Sequence, residues 1–295
     1  MKEFKTYHPI VNFIYFVFVI AFSCFFMHPA ALCISFLSGF LYSVMLSGKK
    51  ALKFNIFYML PTVLISAFAN PLFNHEGITI LSYFSDGNPL TLESCIYGIA
   101  SGSMIISVIC HFSCYNKIMT SDKFIYLFGK IIPSLSLVLS MVLRFVPKFK
   151  SQLNSVRAGQ KCIGRDIADG NIVNRAKNGI RILSIMVTWS LENSIETADS
   201  MKSRGFGLPK RSAFSNFTFD RRDGKALLFI LFSGIYTLVG AACGGMYFRY
   251  FPSVRGVEIS AYVVSVFASY TLLCITPVII ECWEALRWKS LRHKI

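Results

Sequence analysis

Seven stretches of this chain are almost continuously apolar: 10–27, 30–47, 54–69, 96–114, 124–145, 226–248 and 259–281. Several reach the ~18 residues that mark a candidate membrane helix. The chain is organised around the interval 143–207, which is polar, basic and helix-forming. There Phe149, Leu153, Val156, Gln160 and Ile163 recur at spacings of four, three, four and three. That spacing predicts one face of a helix, with Pro147 suited to its first turn. Leu183, Val187, Leu191, Ser194, Ala198 and Met201 predict a face on a second helix. Ser190, Ser194 and Ala198, with Gly159 on the first helix, offer small side chains for a close crossing.

Each helical pattern ends on glycine, in Lys161-Cys162-Ile163-Gly164 and in Ser203-Arg204-Gly205. Glycine takes the left-handed backbone just past a helix C-terminus at little cost. Cations beside the last turn suit the helix dipole. Two basic helix tips next to membrane-grade sequence suggest a docking device.

Composition supports a polytopic membrane protein: 54% of the 295 residues are hydrophobic and 15% charged, with a mean hydropathy of +0.54. Soluble domains carry about 25% charged residues. The net charge of +15 does not point to nucleic acid, because it is concentrated: 16 of 30 Lys and Arg lie in 144–225, against seven acidic residues. Most other cations flank apolar runs, as at the cytoplasmic ends of membrane helices. The nine cysteines form no CxxC pair and no zinc-finger spacing, so they read as free thiols behaving as small apolar residues.

Lys2 and Lys5 precede the first run. The second follows so closely that a helical hairpin turning at His28-Pro29 is expected rather than a cleaved leader. Ala30-Ala31-Leu32-Cys33 is a poor lipobox. Lys49, Lys50 and Lys53 mark the return. The run 54–69 is short and interrupted by Pro61. Residues 54–116 contain no Lys or Arg, so the polar part 70–93 is expected to be external or re-entrant. Run 96–114 then returns, with Gly98, Gly102 and Ser103 available for close packing. Crossing by 124–145 would place the basic interval outside, against the charge bias. Lys130 and Pro133 also break it, so it is expected to lie at the interface or against a partner. The fold class is therefore an all-α polytopic membrane protein, with about six transmembrane helices plus long cytoplasmic helices. Both termini are cytoplasmic in this scheme. Its segments are 1–123 (about four spans), 124–225 (cytoplasmic or interfacial) and 226–295 (a helix pair and basic tail).

Catalytic signatures are weak. Ser47-Gly48-Lys49-Lys50 lacks the upstream glycine and the Ser/Thr of a phosphate loop, and neither HExxH nor GxSxG occurs. His75-Glu76 with Asp86, or His111, are the best material for an intramembrane enzyme. A secondary transporter would place ionisable residues within its spans, and few are there. A stand-alone membrane protein of either kind is the alternative.

The chain resembles the transmembrane T component of energy-coupling factor (ECF) transporters. The resemblance is carried by Asn70-Pro71-Leu72-Phe73-Asn74-His75-Glu76-Gly77, Asn88-Pro89-Leu90-Thr91-Leu92-Glu93, Leu143-Arg144-Phe145-Val146-Pro147, Gln160-Lys161 and Ser203-Arg204-Gly205. The ending from Pro277 through Glu281-Cys282-Trp283-Glu284 to Arg287-Trp288 is also similar. The resemblance implies coupling helices that each end in an Ala-Arg-Gly motif, whose arginine docks on one of two ABC-type ATPase subunits. The second motif becomes Ser203-Arg204-Gly205. The first is degenerate, Cys162-Ile163-Gly164, with Arg165 and Lys161 as candidate substitutes for the missing arginine. It further implies one or more small membrane S components that bind the cargo, a vitamin or metal ion such as cobalt or nickel. This chain would bind no cofactor or metal and catalyse nothing, ATP and Mg being on the partner subunits. Its setting would be the lipid bilayer of a bacterial or archaeal plasma membrane, without nucleic acid.

Overall fold

A computed structural model describes residues 4–83, 88–129, 132–165, 171–206, 208 and 217–292. Lys2, Asp86, Lys130 and Lys294 lie outside them, as do the side chains of Trp288, Lys289 and Arg292. The chain divides into two compact units, 1–124 with 217–295 and 125–216. The sequence segments 1–123 and 226–295 thus fall in one unit.

The first unit contains α1 (Pro9–Phe25), α2 (Pro29–Ser47), α3 (Lys49–Phe73), α4 (Leu92–Ile118), α8 (Arg221–Ala242) and α9 (Ala261–Arg292). All but α1 are long and apolar enough to cross a membrane, and α1 is a 17-residue apolar helix. The protein is an all-α polytopic membrane protein, apart from two short hairpins among the described residues. These are β1 (Ile80–Tyr83) with β2 (Pro89–Thr91), and β3 (Phe248–Arg249) with β4 (Arg255–Gly256).

The first two helices start alike. His8 and His28 are N-caps whose Nδ1 atoms accept from Ile10 N at 3.3 Å and Ala30 N at 3.2 Å, and proline follows at the first helical position. Proline is tolerated there because its missing N–H would have no partner in the helix. The hairpin turn at His28-Pro29 arises in this way.

Helix α3 corrects one expectation. It runs unbroken for 25 residues with Pro61 and Pro71 inside it, a length of ~37 Å against a hydrocarbon core of ~30 Å. Small residues bring α4 against it. A Cβ on Gly98 would stand 2.7 Å from Ser66 O, and one on Gly102 would stand 3.1 Å from Val63 Cα. Ser66 Oγ fills the seam by donating to Gly98 O at 2.8 Å.

Tyr15, Phe16, Val19, Tyr270 and Leu273 form the centre of the core. Two of its tyrosine hydroxyls bond across the bundle: Tyr15 OH donates to Cys274 O at 3.0 Å, and Tyr42 OH to Glu281 Oε1 at 3.3 Å. The segment between α3 and α4 folds back on the start of α4. Thr79 N and Oγ1 donate to Glu93 Oε1 at 3.2 and 2.9 Å, and Ser94 Oγ donates to Asn74 O at 2.7 Å. Helix α8 stops at Ala242 rather than reaching 248, because Gly244 (φ +85°) closes it.

Of the second unit's elements, α5 (Ser121–Gly129) begins within the first unit and crosses the boundary, and α6 (Pro133–Cys162) and α7 (Ile172–Ser203) follow. The break between α5 and α6 falls where Lys130 and Pro133 predict it. Pro147, expected in a first turn, is instead internal to α6. The apolar end of run 124–145 and the basic stretch after it therefore form one continuous helix.

Candidate functional site: two helix tips and a crossing

Both long helices end in the same backbone motif. In α6, Gly164 N donates to Lys161 O at 3.0 Å and Arg165 N to Gln160 O at 2.9 Å. In α7, Gly205 N donates to Lys202 O at 2.9 Å and Phe206 N to Met201 O at 2.9 Å. Gly164 and Gly205 take φ of +68° and +76°. This is the Schellman closure, in which a left-handed residue lets two amides reach back to carbonyls left open by the helix end.

The shared bonding gives a residue-by-residue equivalence. Ile163 (φ −101°, ψ 18°) and Arg204 (φ −82°, ψ 9°) both hold the C-cap position. Lys161 matches Lys202, Cys162 matches Ser203, and Arg165 matches Phe206. The degenerate motif therefore places Ile163, 59% exposed, where the other tip presents an exposed arginine. Arg165 leaves the helix two residues later and Lys161 sits two earlier, so neither occupies the cap itself. Lys161, Cys162, Gly164, Arg165 and Ser203 are also exposed, and Gly205 is half-buried. Helix α8 closes by the same pair of bonds, from Gly244 N to Ala241 O and Gly245 N to Gly240 O. Closure alone is thus not distinctive; polar, exposed tips are.

The helices meet where Phe149 packs edge-on to Trp189, ring centroids 5.3 Å apart, and where Lys148 Nζ donates to Asn193 Oδ1. Ser190 and Ser194 lie at this crossing, facing Phe145, Val146 and Phe149 around a cavity of about 470 Å³. Gly159 is elsewhere, with nothing within 4 Å of a Cβ placed on it, and Ala198 is exposed. The face of α7 also differs from the expectation. Ile182 and Met186 are buried, whereas Leu183, Val187 and Leu191 are 65%, 49% and 62% exposed. Periodicity identifies residues sharing a face; it does not say which face turns inward when both are apolar.

His111 is buried on α4, with Nε2 3.1 Å from Ser35 O and its ring against Gly39. His75 and Glu76 lie on the segment after α3, and their suggested companion Asp86 is outside the described residues.

No family model matches the chain. It is 31% identical over 98 residues to the energy-coupling factor transporter transmembrane protein EcfT of Staphylococcus aureus, covering 33% of this chain and 37% of that protein. It is 32% identical over 106 residues to the EcfT of Lactobacillus helveticus, covering 35% and 38%. The EcfT of Streptococcus equi is 28% identical over 103 residues. The chain thus matches less than two fifths of the length of these relatives. Over about a third of its own length, this membrane protein is EcfT-like, similar to the transmembrane proteins of energy-coupling factor transporters.

Proposed function

We propose that this chain is the non-catalytic coupling subunit of an ECF-type importer. The observation that carries the proposal is the pair of exposed, cation-bearing tips at which α6 and α7 close, read with the EcfT similarity. Two ABC-type ATPases dock at the tips, and their ATP-driven approach and separation shift α6 and α7. That shift tilts an S component in the membrane and releases its vitamin or metal-ion cargo inward. The exposed apolar faces of α6 and α7 suit the S component's hydrophobic surface.

The tips divide the docking unequally. Arg204 is the anchor: a guanidinium pairs a carboxylate bidentately and keeps its charge at physiological pH. Ile163 offers no such bond, so the ATPase at α6 is held by apolar contact, with Arg165 and Lys161 at its rim. Losing one partner of a buried interfacial ion pair costs about 2–5 kcal/mol, roughly 30- to 4,000-fold in affinity.

The test is affinity purification of the tagged chain in mild detergent from its own host. Wild type should recover two ATPases and at least one small hydrophobic protein. Arg204→Ala should lose the ATPases while Lys202→Ala keeps them. Equal recovery with both variants would remove Arg204 from the role. Recovery of the chain alone, unaffected by either change, would favour a stand-alone membrane protein.

A further inference from the structure

The chain passes between its two units twice, leaving the first after Phe124 and re-entering it at Phe217. Within the first unit, both passages are fastened to the same short stretch near the start of the chain, residues 4–12. That stretch holds a 3-10 turn, Phe4–Thr6, and the opening turn of α1.

At the first passage, Lys123 stands in the opening turn of α5, next to the boundary. Its Nζ donates to Lys5 O at 2.6 Å. With the Asn12 amide turned so that its oxygen faces the lysine, Nζ also donates to that oxygen at 2.7 Å, and the amide nitrogen donates to Phe4 O at 3.1 Å. At the second passage, Phe219 lies edge-on to His8, ring centroids 5.2 Å apart. The Arg222 guanidinium sits over the Tyr7 ring, 4.2 Å from its centroid, where the ring's negative face attracts a cation. Asp223, 3.6 Å from Arg222, belongs to the start of α8 and accepts from Asp220 N at 3.2 Å.

The stretch is itself held in the core. Phe4, Tyr7, His8 and Asn12 are buried. The Phe4 ring packs edge-on against Tyr15 of α1 and Tyr42 of α2, with centroids 5.3 and 6.4 Å away. Lysine is almost never fully buried unless its donors are partnered. A solvent-facing lysine at the start of α5 would meet the charge bias equally well. The buried one instead ties this turn to residues at the other end of the first unit's leading segment.

We propose that residues 4–12 form a clasp that positions both passages, with Lys123 and Arg222 as its positioning residues. The first turns of α5 and α8 are held by one element and loosen together. Its role in transport rests on the coupling reading above: a shift of α6 and α7 is delivered to the membrane helices through two anchored roots instead of being absorbed by slack in them.

Hydrogen exchange of the full-length chain in mild detergent, followed by mass spectrometry on peptides covering 118–129 and 219–227, tests the clasp without any partner. Lys123→Met should speed exchange roughly 5-fold at 219–227 as well as at its own root, and Arg222→Gln should do the same at 118–129. Exchange at 96–106, in the seam of α4 with α3, should stay as in wild type. Two separate local contacts would not move the opposite root. Acceleration confined to the mutated root in either variant would therefore overturn the clasp, as would no acceleration at all. Equal acceleration at 96–106 in both variants would also overturn it, because the loosening would then be global. ATPase recovery in the affinity purification above should be the same for wild type and both variants, since neither residue lies at a helix tip. If wild type recovered no ATPases, the coupling reading would fail while exchange still decided the clasp. If ATPases were recovered and exchange stayed local, the clasp would fail and the coupling reading would stand.

Discussion

Lys123 shows how far a single residue can depart from its sequence context. By position it is a flanking cation at the end of a span, yet its side chain is 5% exposed and Nζ donates to Lys5 O at 2.6 Å. Turned so that its amide oxygen faces the lysine, Asn12 also accepts from Nζ at 2.7 Å. Burial, with the Lys5 cation nearby, pushes the Lys123 pKa down from its ordinary 10.5 to about 8. Below pH 8 the ammonium is charged in folded and unfolded chains alike, and the cost of burying it is present in full. Between about 8 and 10.5 the unfolded chain binds more protons, so this contribution to stability rises with pH. Thermal unfolding in detergent should show that rise in wild type and a flatter profile in Lys123→Met. Identical profiles would refute the shift.

Gly205 is constrained more simply. An L side chain at φ +76° costs about 1–2 kcal/mol, and its Cβ would stand 3.0 Å from Leu208 Cδ1. In Gly205→Ala the amides of residue 205 and Phe206 should exchange hydrogen roughly 5- to 30-fold faster. Unchanged exchange would mean the turn tolerates alanine. The glycine was legible in sequence because few residues adopt this backbone. Burial of Lys123 was not, because it depends on a contact between residues far apart in the chain.

Among the elements, α7 separates what spacing can reveal from what it cannot. Its helical period was readable. The inward face was not, since Leu183, Val187 and Leu191 are as apolar as Ile182 and Met186. Thiol reactivity follows exposure. In a background without the native exposed cysteines, Val187→Cys in the purified chain should react roughly 10-fold faster than Met186→Cys. Equal rates would contradict the assignment of faces. The tip of α6 was likewise readable as a glycine-ended helix. Equivalence of Ile163 with Arg204 became firm only once the hydrogen bonds of both turns could be compared.

At the scale of the whole molecule, sidedness follows from charge: residues 54–116 lack Lys and Arg, while 144–225 hold 16. The positive-inside rule then predicts the segment after α3 outside and both helix tips inside. An impermeant maleimide should label Ile78→Cys, 68% exposed in its native form, in intact cells. It should reach Cys162, exposed at the α6 tip, only after permeabilisation. Labelling of both sites from the same side would disprove this topology.

The sequence by itself determined the apolar helices, the polar basic interval between them and the glycine-closed ends. These rest on local quantities: hydropathy, charge and backbone preference. Tertiary structure decided that α3 runs through its prolines, that α6 is one helix across Pro147, and that Lys123 is buried. Each depends on which surfaces meet, and neighbouring side chains, not local preference, set the free energy of that choice.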